Sequence, residues 1–197
     1  MRIRNVDKEQ LVKQTAIQML VADGFEGFSV NKLARACNIS VGTLYIYYKD
    51  KDDLITRIAI EQGEAMHEAT LKNFDPEMHF AEGLKVQWQN RYNYMMTEPY
   101  AMLLFEQLRS STYHEKVIGP MSMHFKEVMG RFVNNAVNRG EINQMPLEVY
   151  WSLAFAPLYS LIRFHKEGMS LAAKPFGMTD EILWQTFGLV VKALKIN

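Results

Sequence analysis

The chain has one cysteine, Cys37, among 197 residues. No internal disulfide is possible, the Cys-rich zinc modules are excluded, and a reducing compartment is expected. No apolar run is long enough to cross a bilayer. The longest nearly uncharged stretch, Trp151 to Ile162, is interrupted by Pro157 and falls well short of the roughly 20 residues a span needs. Nor do the opening residues, Met1-Arg2-Ile3-Arg4-Asn5-Val6-Asp7-Lys8-Glu9, contain the apolar core of a signal peptide. The expectation is a cytoplasmic protein with no membrane partner. Net charge is also absent, 22 Lys/Arg standing against 22 Asp/Glu, so no basic field announces nucleic acid. The halves differ only slightly: residues 1–60 carry 9 Lys/Arg against 7 Asp/Glu, net +2, and the remainder 13 against 15, net −2. Any case for DNA has to rest on local geometry.

The usual catalytic signatures are missing too. The sequence has no P-loop, no dinucleotide glycine fingerprint, no G-x-S-x-G and no H-E-x-x-H, the spacings that would cradle phosphates, expose a nucleophile or bind zinc. Glu64-x-x-His67 has the spacing of a di-iron ligand pair, but the second copy such a site requires is absent, and an exposed helix face accounts for it. His79, His114, His124 and His165 are scattered singly. The sequence therefore implies no enzyme, no metal and no cofactor.

What is present is helical periodicity. With 48% hydrophobic residues the chain can bury a sizeable core, and no apolar–polar alternation persists long enough to read as a strand. The expected fold class is all-α. Asp7 with Gln10 forms a capping signal, Val12, Ala16, Met19 and Leu20 make one apolar stripe, and Gly24 supplies the stop. Ser29 caps a short second helix with Val30, Leu33, Ala34 and Cys37 on one face, and Asn38 tolerates the left-handed turn. Ser40 caps a third short helix with Val41, Leu44 and Tyr48 on one face. Asp50 caps a fourth whose stripe is Leu54, Ile55, Ile58 and Ala59. Longer helices are expected over 76–97, 99–110, 115–139, 146–167 and 179–195, punctuated by Pro76, Pro99, Gly119-Pro120, Gly140 and the stretch 168–179. That makes about nine helices, with no internal repeat.

Two short helices joined by a tight turn cannot stand alone, and the Val12–Leu20 stripe is the cover they need. In such a helix-turn-helix the second short helix enters a major groove. Its outer face here is Gly42, Thr43, Tyr45, Ile46 and Tyr47. The segment Phe28 to Leu54 resembles the DNA-binding signature of the TetR family. Its diagnostic pieces are the Ser29 cap, the Ile39-Ser40 turn, Gly42-Thr43-Leu44-Tyr45, and Lys49-x-Lys51-x-x-Leu54. The resemblance spans about fifty residues with the first helix, and beyond them extends only to length, helix pattern and apolarity. It implies residues 1–50 as a three-helix DNA-binding domain and 51–197 as a larger helical effector-binding and dimerisation domain.

By that resemblance Thr43 and Tyr47 face base edges, Ser29 and Tyr45 bond phosphates, Lys51 pairs a phosphate, and Val41 and Gly42 in the first turn complete the DNA-binding set. Lys51 also sits beside a helix N-terminus whose amides favour an anion. Ile46 and Tyr47 stand where the family commonly has an aromatic then a histidine, so the operator sequence cannot be borrowed from a relative. Tyr47 lacks the bidentate fork of Arg or Asn, which limits its discrimination to about 1 kcal/mol, and indirect readout gains weight. Tyr48, at i+4 from Leu44, reads as core, as does Cys37; Tyr45 reads either way. Lys32 and Arg35 read as solvated surface. Arg2 and Arg4 have two readings, minor-groove or phosphate contact and a frayed terminus.

Val86 to Leu108 concentrates Met and aromatic residues, which line adaptable apolar cavities. Trp88, Tyr92, Met95, Met96, Tyr100 and Phe105, with Arg91 and Arg109 as polar groups and Phe155 and Tyr159 from a later helix, are the candidate effector-binding residues; filling of the core is the alternative. Helices 146–167 and 179–195 carry apolar residues on more than one face, from Trp151 to Phe164 and from Leu183 to Leu194. A surface helix needs one stripe, so the extra face suits a four-helix bundle with a twofold mate. A homodimer would set its reading heads about 34 Å or more apart on a palindromic site. The resemblance implies a repressor of double-stranded operator DNA, released when a small apolar or aromatic effector shifts the fourth helix. The rival is a helical dimer that binds a small molecule or a protein without specific DNA binding, and salt-dependent affinity for duplex DNA separates the two.

Overall fold

The computed structural model describes residues 2–118 and 123–196, and the side chains of 8–117 and 123–196. In chain order the helices are α1 (Arg2–Gly27), α2 (Val30–Ala36), α3 (Val41–Tyr47), α4 (Lys51–Leu71), α5 (Phe80–Thr97), α6 (Ala101–Arg109), α7 (His114–Ile118), α8 (Met123–Asn138), α9 (Leu147–Ala154), α10 (Ala156–Glu167) and α11 (Asp180–Leu194). Among the described residues there is no strand, only two isolated bridges, so the all-α expectation holds. No described helix is long and apolar enough to cross a membrane.

Among the described residues the count is eleven rather than about nine because two expected helices are each divided. The helix expected over 115–139 is α7 and α8, and its Gly119-Pro120 break lies outside the described residues. The helix expected over 146–167 contains Pro157. It separates into α9 and α10 at Phe155, whose φ is −127° and ψ −30°, with Pro157 in the first turn of α10. Proline has no N–H for the carbonyl four residues back and its ring crowds that carbonyl, but it is tolerated in a first turn. Helix α1 starts at Arg2, well before Asp7, because residues 2–6 contain no Gly or Pro to stop propagation from the packed stripe; Asp7 is thus interior and not a cap. Gly24, at φ 73° and ψ 169°, breaks α1 as expected, in a conformation that a side chain would strain, and one more turn carries on to Gly27.

The described residues group into two compact units. One comprises residues 2–65 and 98–118, the other 66–97 and 123–196. The grouping differs from a division at residue 50, because most of α4, together with α6 and α7, completes the first core. That core joins Val12, Ala16 and Leu20 of α1, Leu33 and Ala34 of α2, Leu44 and Tyr48, Leu54, Ile55, Ile58 and Ala59 of α4, and Leu104, Leu108, Tyr113 and Val117. The Gln107 amide donates to the Val21 carbonyl (2.8 Å), fastening α6 to α1.

In the second unit α5 is the central helix, packed on α8, α10 and α11. Its Phe80 and Leu84 are buried, the Phe80 ring stacks on the Phe132 ring of α8, and Gly83 lies directly against that ring. Glu141 accepts from the Phe80 amide, from His79 and from Arg139, which closes the start of α5 onto the end of α8.

Gly83→Ala should destabilise the second unit by about 1–3 kcal/mol, the usual penalty for overpacking, because the added methyl overlaps the Phe132 ring. Gly130→Ala, on a helix position with open space, should instead stabilise by up to about 1 kcal/mol. Urea unfolding of the two variants checks the contrast; equal midpoints would contradict this packing.

Candidate nucleic-acid interface and buried arginine

Helices α2 and α3 have seven residues each, too few to persist without caps and a core. Ser29 Oγ accepts from the Lys32 amide (3.4 Å) and Ser40 Oγ from the Thr43 amide (3.1 Å), with the Ser40 and Thr43 hydroxyls 2.8 Å apart. Such a cap contributes about 1 kcal/mol. Between them Asn38 takes φ 52°, the left-handed turn its short amide tolerates. Asp50 Oδ1 accepts from the Asp53 amide (2.8 Å) and Asp53 Oδ2 from the Lys49 amide (2.9 Å), a reciprocal cap that starts α4.

Leu44 and Tyr48 are buried, and this division of faces turns the rest of α3 outward. Tyr45 is 50% exposed, Ile46 76% and Tyr47 40%; Gly42 is exposed, and Val41 and Thr43 are half-buried. Tyr48 and Cys37 are core, as expected. Lys32 and Arg35 are exposed, Lys32 lying 3.6 Å from Asp23. The side chains of Arg2 and Arg4 lie outside the described residues. Lys51 is half-buried in the first turn of α4, its ammonium 3.5 Å from the Glu26 carbonyl. Ser29, Val41, Gly42, Thr43, Tyr45, Tyr47 and Lys51 thus all belong to the first unit, at or beside α3 and the starts of α2 and α4.

Two positioning groups are not evident in the sequence. Arg57 donates to the Tyr47 carbonyl (2.7 Å), satisfying the end of α3, and lies over the Tyr48 ring with Asp53 3.8 Å away. Asp52 accepts from the Tyr113 hydroxyl (2.6 Å) and Lys116 (3.1 Å), bonds that hold its carboxyl below the usual carboxylate range. Both act across long sequence separations, so helical periodicity carries no signal for them. A cleft of about 90 Å³ beside α3, lined by Thr43, Leu44, Tyr47 and α1 residues, is too small for an effector; ligand pockets run to roughly 300 Å³ or more.

The candidate effector residues divide between the units. Tyr100, Phe105 and Arg109 are in the first, where Phe105 packs on the core and Tyr100 and Arg109 are exposed. Trp88, Arg91, Tyr92, Met95, Met96, Phe155 and Tyr159 are in the second. There Trp88 is buried and donates to the Ala154 carbonyl (2.7 Å) where α9 ends, Met95 is buried, and Tyr92 and Met96 are half-buried.

Arg91 is 1% exposed. It donates to the Tyr159 hydroxyl (2.9 Å) and, at 3.5 Å, to Gln87, while its Nε has no partner among the described residues. Three rings surround the guanidinium carbon, Phe155 at 4.3 Å, Trp151 at 5.4 Å and Phe125 at 5.8 Å from their centroids. Cation–π contacts contribute up to about 2 kcal/mol when desolvated, less than the several kcal/mol that removing an ion from water costs. His67 stacks on Phe125 at 4.1 Å, and burial, with the charges of Arg91 and Lys126, lowers it from the ordinary 6.5 to about 4. Burial pushes the Tyr150 hydroxyl up, and Arg91 partly opposes that.

A depressed histidine binds fewer protons folded than unfolded, so stability is full above 6.5 and falls as pH drops from 6.5 towards 4. The His67 imidazole resonances should therefore titrate near pH 4 in a nuclear magnetic resonance series, and His67→Phe should flatten the loss of melting temperature across that window. A midpoint near 6.5 would mean that the ring is solvated.

Residues 13–58 match the family model described as bacterial regulatory proteins, tetR family. An uncharacterised HTH-type transcriptional regulator of Haemophilus influenzae is 29% identical over 111 residues, a match that spans 56% of this chain and 59% of that protein. The whole chain is similar to the crystal structure of a TetR family transcription regulator from Marinobacter aquaeolei, at 24% identity and a TM-score of 0.79 with 100% of each chain covered. A TetR-family regulator from Haemophilus influenzae aligns at 19% identity and a TM-score of 0.79, covering 98% of this chain and 99% of that one; these two likenesses show the fold. The capped α2–α3 pair thus lies within a segment that matches the DNA-binding model of the tetR family, and the chain as a whole is similar in fold to TetR-family regulators.

Proposed function

We propose that the protein is a cytoplasmic transcriptional repressor that binds palindromic operator DNA as a homodimer and releases it when a small apolar or aromatic effector binds its second unit. One observation carries the reading: α3 is pinned by Leu44 and Tyr48 while Tyr45, Ile46 and Tyr47 stand in solvent. A globular protein gains nothing by exposing that many large apolar groups on seven residues unless they meet a partner. A seven-residue helix docks in a major groove through such a face. Thr43 and Tyr47 read base edges beside Val41 and Gly42. Ser29, whose cap bond uses only its oxygen, keeps a hydroxyl hydrogen for a phosphate, as does Tyr45, and Lys51 adds charge at the start of α4.

Exposed Leu147, Val149, Trp151 and Leu153 on α9 and Leu189 on α11 support the twofold interface proposed for residues 146–167 and 179–195. An effector acts by its differential affinity for two conformations, commonly about 1–3 kcal/mol. Helix α4 is continuous from Lys51 to Leu71, so a ligand that displaces its last turn also tilts its first.

Electrophoretic shift on the DNA upstream of the gene, at two salt concentrations, tests the reading. Lys51→Ala should weaken binding on all sequences and reduce the salt slope by about 1, and Tyr47→Ala should cost about 1 kcal/mol and relax base preference. No sequence preference at any salt would leave a helical binding protein instead. The native chain should sediment at twice its 22.8 kDa. Leu189→Glu, at a residue 63% exposed, should yield monomer and lose operator binding with an unchanged circular dichroism spectrum; a monomeric native chain would remove the palindrome from the proposal.

A further inference from the structure

We infer that Arg91 is the anchor for the carboxylate of an organic monoacid, the chemical class of the effector, an inference that rests on the reading of the second unit as effector-binding. The guanidinium is buried, donates only to Tyr159 and, weakly, to Gln87, and has no carboxylate in ion-pair reach among the described residues. Arginine carries five donors in one plane and stays charged at any working pH. Rings lie 4.3–5.8 Å from its central carbon, and the unmatched Nε belongs to the edge of the guanidinium through which a carboxylate can pair. Nor is Nε alone: Tyr150 Oη and His67 Nδ1 are also buried without hydrogen-bond partners among the described residues. Native structures satisfy nearly all buried polar atoms, so an unmatched Nε on a buried cation whose charge also reaches His67 and Tyr150 marks a missing acceptor.

The charge balance chooses among anions. Arg91 is the buried permanent cation and matches one negative charge; Lys126, whose charge also reaches His67, is exposed, and His67, with its lowered affinity for protons, adds none at neutral pH. A phosphate dianion would leave a charge unpaired among Phe125, Trp151 and Phe155, which is costly. The same rings suit an alkyl or aryl tail. Phe125 and Tyr159 are only partly buried, so the guanidinium lies beneath side chains that solvent already reaches.

The test titrates the full chain, without DNA, by calorimetry and thermal melting, using octanoate and 3-phenylpropanoate against octanamide and 3-phenylpropanamide. The acids should bind at least about tenfold more tightly than the amides and raise the melting temperature. Arg91→Met should abolish that preference without lowering the melting temperature of the unliganded protein, because it removes an unpaired buried charge. Tyr150→Phe, which keeps the packing, should weaken the acids several-fold and leave the amides unchanged; this comparison decides the matter should Arg91→Met not fold. Equal binding of acid and amide, no binding of either acid at several millimolar, or acid preference surviving in the variants would overturn the anchor. The same compounds in the DNA shift separate the two layers. Acids that bind but release no DNA uphold the anchor and sink the effector reading, whereas amides that release DNA as well as acids do the reverse.

Discussion

Everything that the first unit offers to a partner depends on the burial of Leu44 and Tyr48. Helix α3 has too few residues to hold its own backbone, and the side chains that point inward give it both persistence and orientation. Leu44 is completely covered, and Tyr48 closes the same layer just past the C-terminal end of the helix. With those two residues committed to the core, the 3.6-residue period leaves Gly42, Tyr45 and Ile46 in solvent. The Ser40 cap at one end and the Arg57 bond to the Tyr47 carbonyl at the other satisfy backbone groups that so short a helix leaves open.

The second unit is organised on the opposite principle. Its central helix α5 buries Gln87 and Arg91 beside Trp88 and Met95. Gln87 is matched, its amide donating to the Thr70 carbonyl (3.1 Å), where Asn90 also donates (2.9 Å), so the end of α4 is capped from α5. Arg91 is not fully matched, and the rings around it lessen but do not cancel the cost of removing its charge from water. One unit therefore presents an apolar face to solvent and the other keeps a cation in its interior, and each departs from the ordinary partition of side chains.

The local features were legible because their causes are local. Ser29, Ser40 and Asp50 cap the bonds one turn ahead, Asn38 adopts the turn its side chain permits, and the Val12–Leu20 stripe needs only the helical period to be recognised. The interruption near Pro157 follows from one missing amide. Less of the buried cluster was legible. Arg91, Phe155 and Tyr159 were among the candidates, but so were Tyr100, Phe105 and Arg109, which the structure assigns to a different compact unit. Composition marked the whole span from Val86 to Leu108 as rich in rings and thioethers, and it does not say which of those groups share one interior. Arg57, Asp52 and Tyr113 carry no signal of their roles in the sequence, because an isolated charge or phenol on a helix has no pattern to betray it.

The sequence by itself determined the helical class, the helix-turn-helix with its caps, and which face of α3 is apolar, since these follow from periodicity and from hydrogen bonds spanning three or four residues. Tertiary structure alone decided that α6 and α7 complete the N-terminal core and that Arg57 secures the end of α3. It alone brought Arg91 among Phe125, Trp151 and Phe155 with no counter-ion among the described residues. Those outcomes join residues from 10 to 86 positions apart, and their energy depends on which surfaces meet and what water is excluded, quantities that no short window of sequence contains.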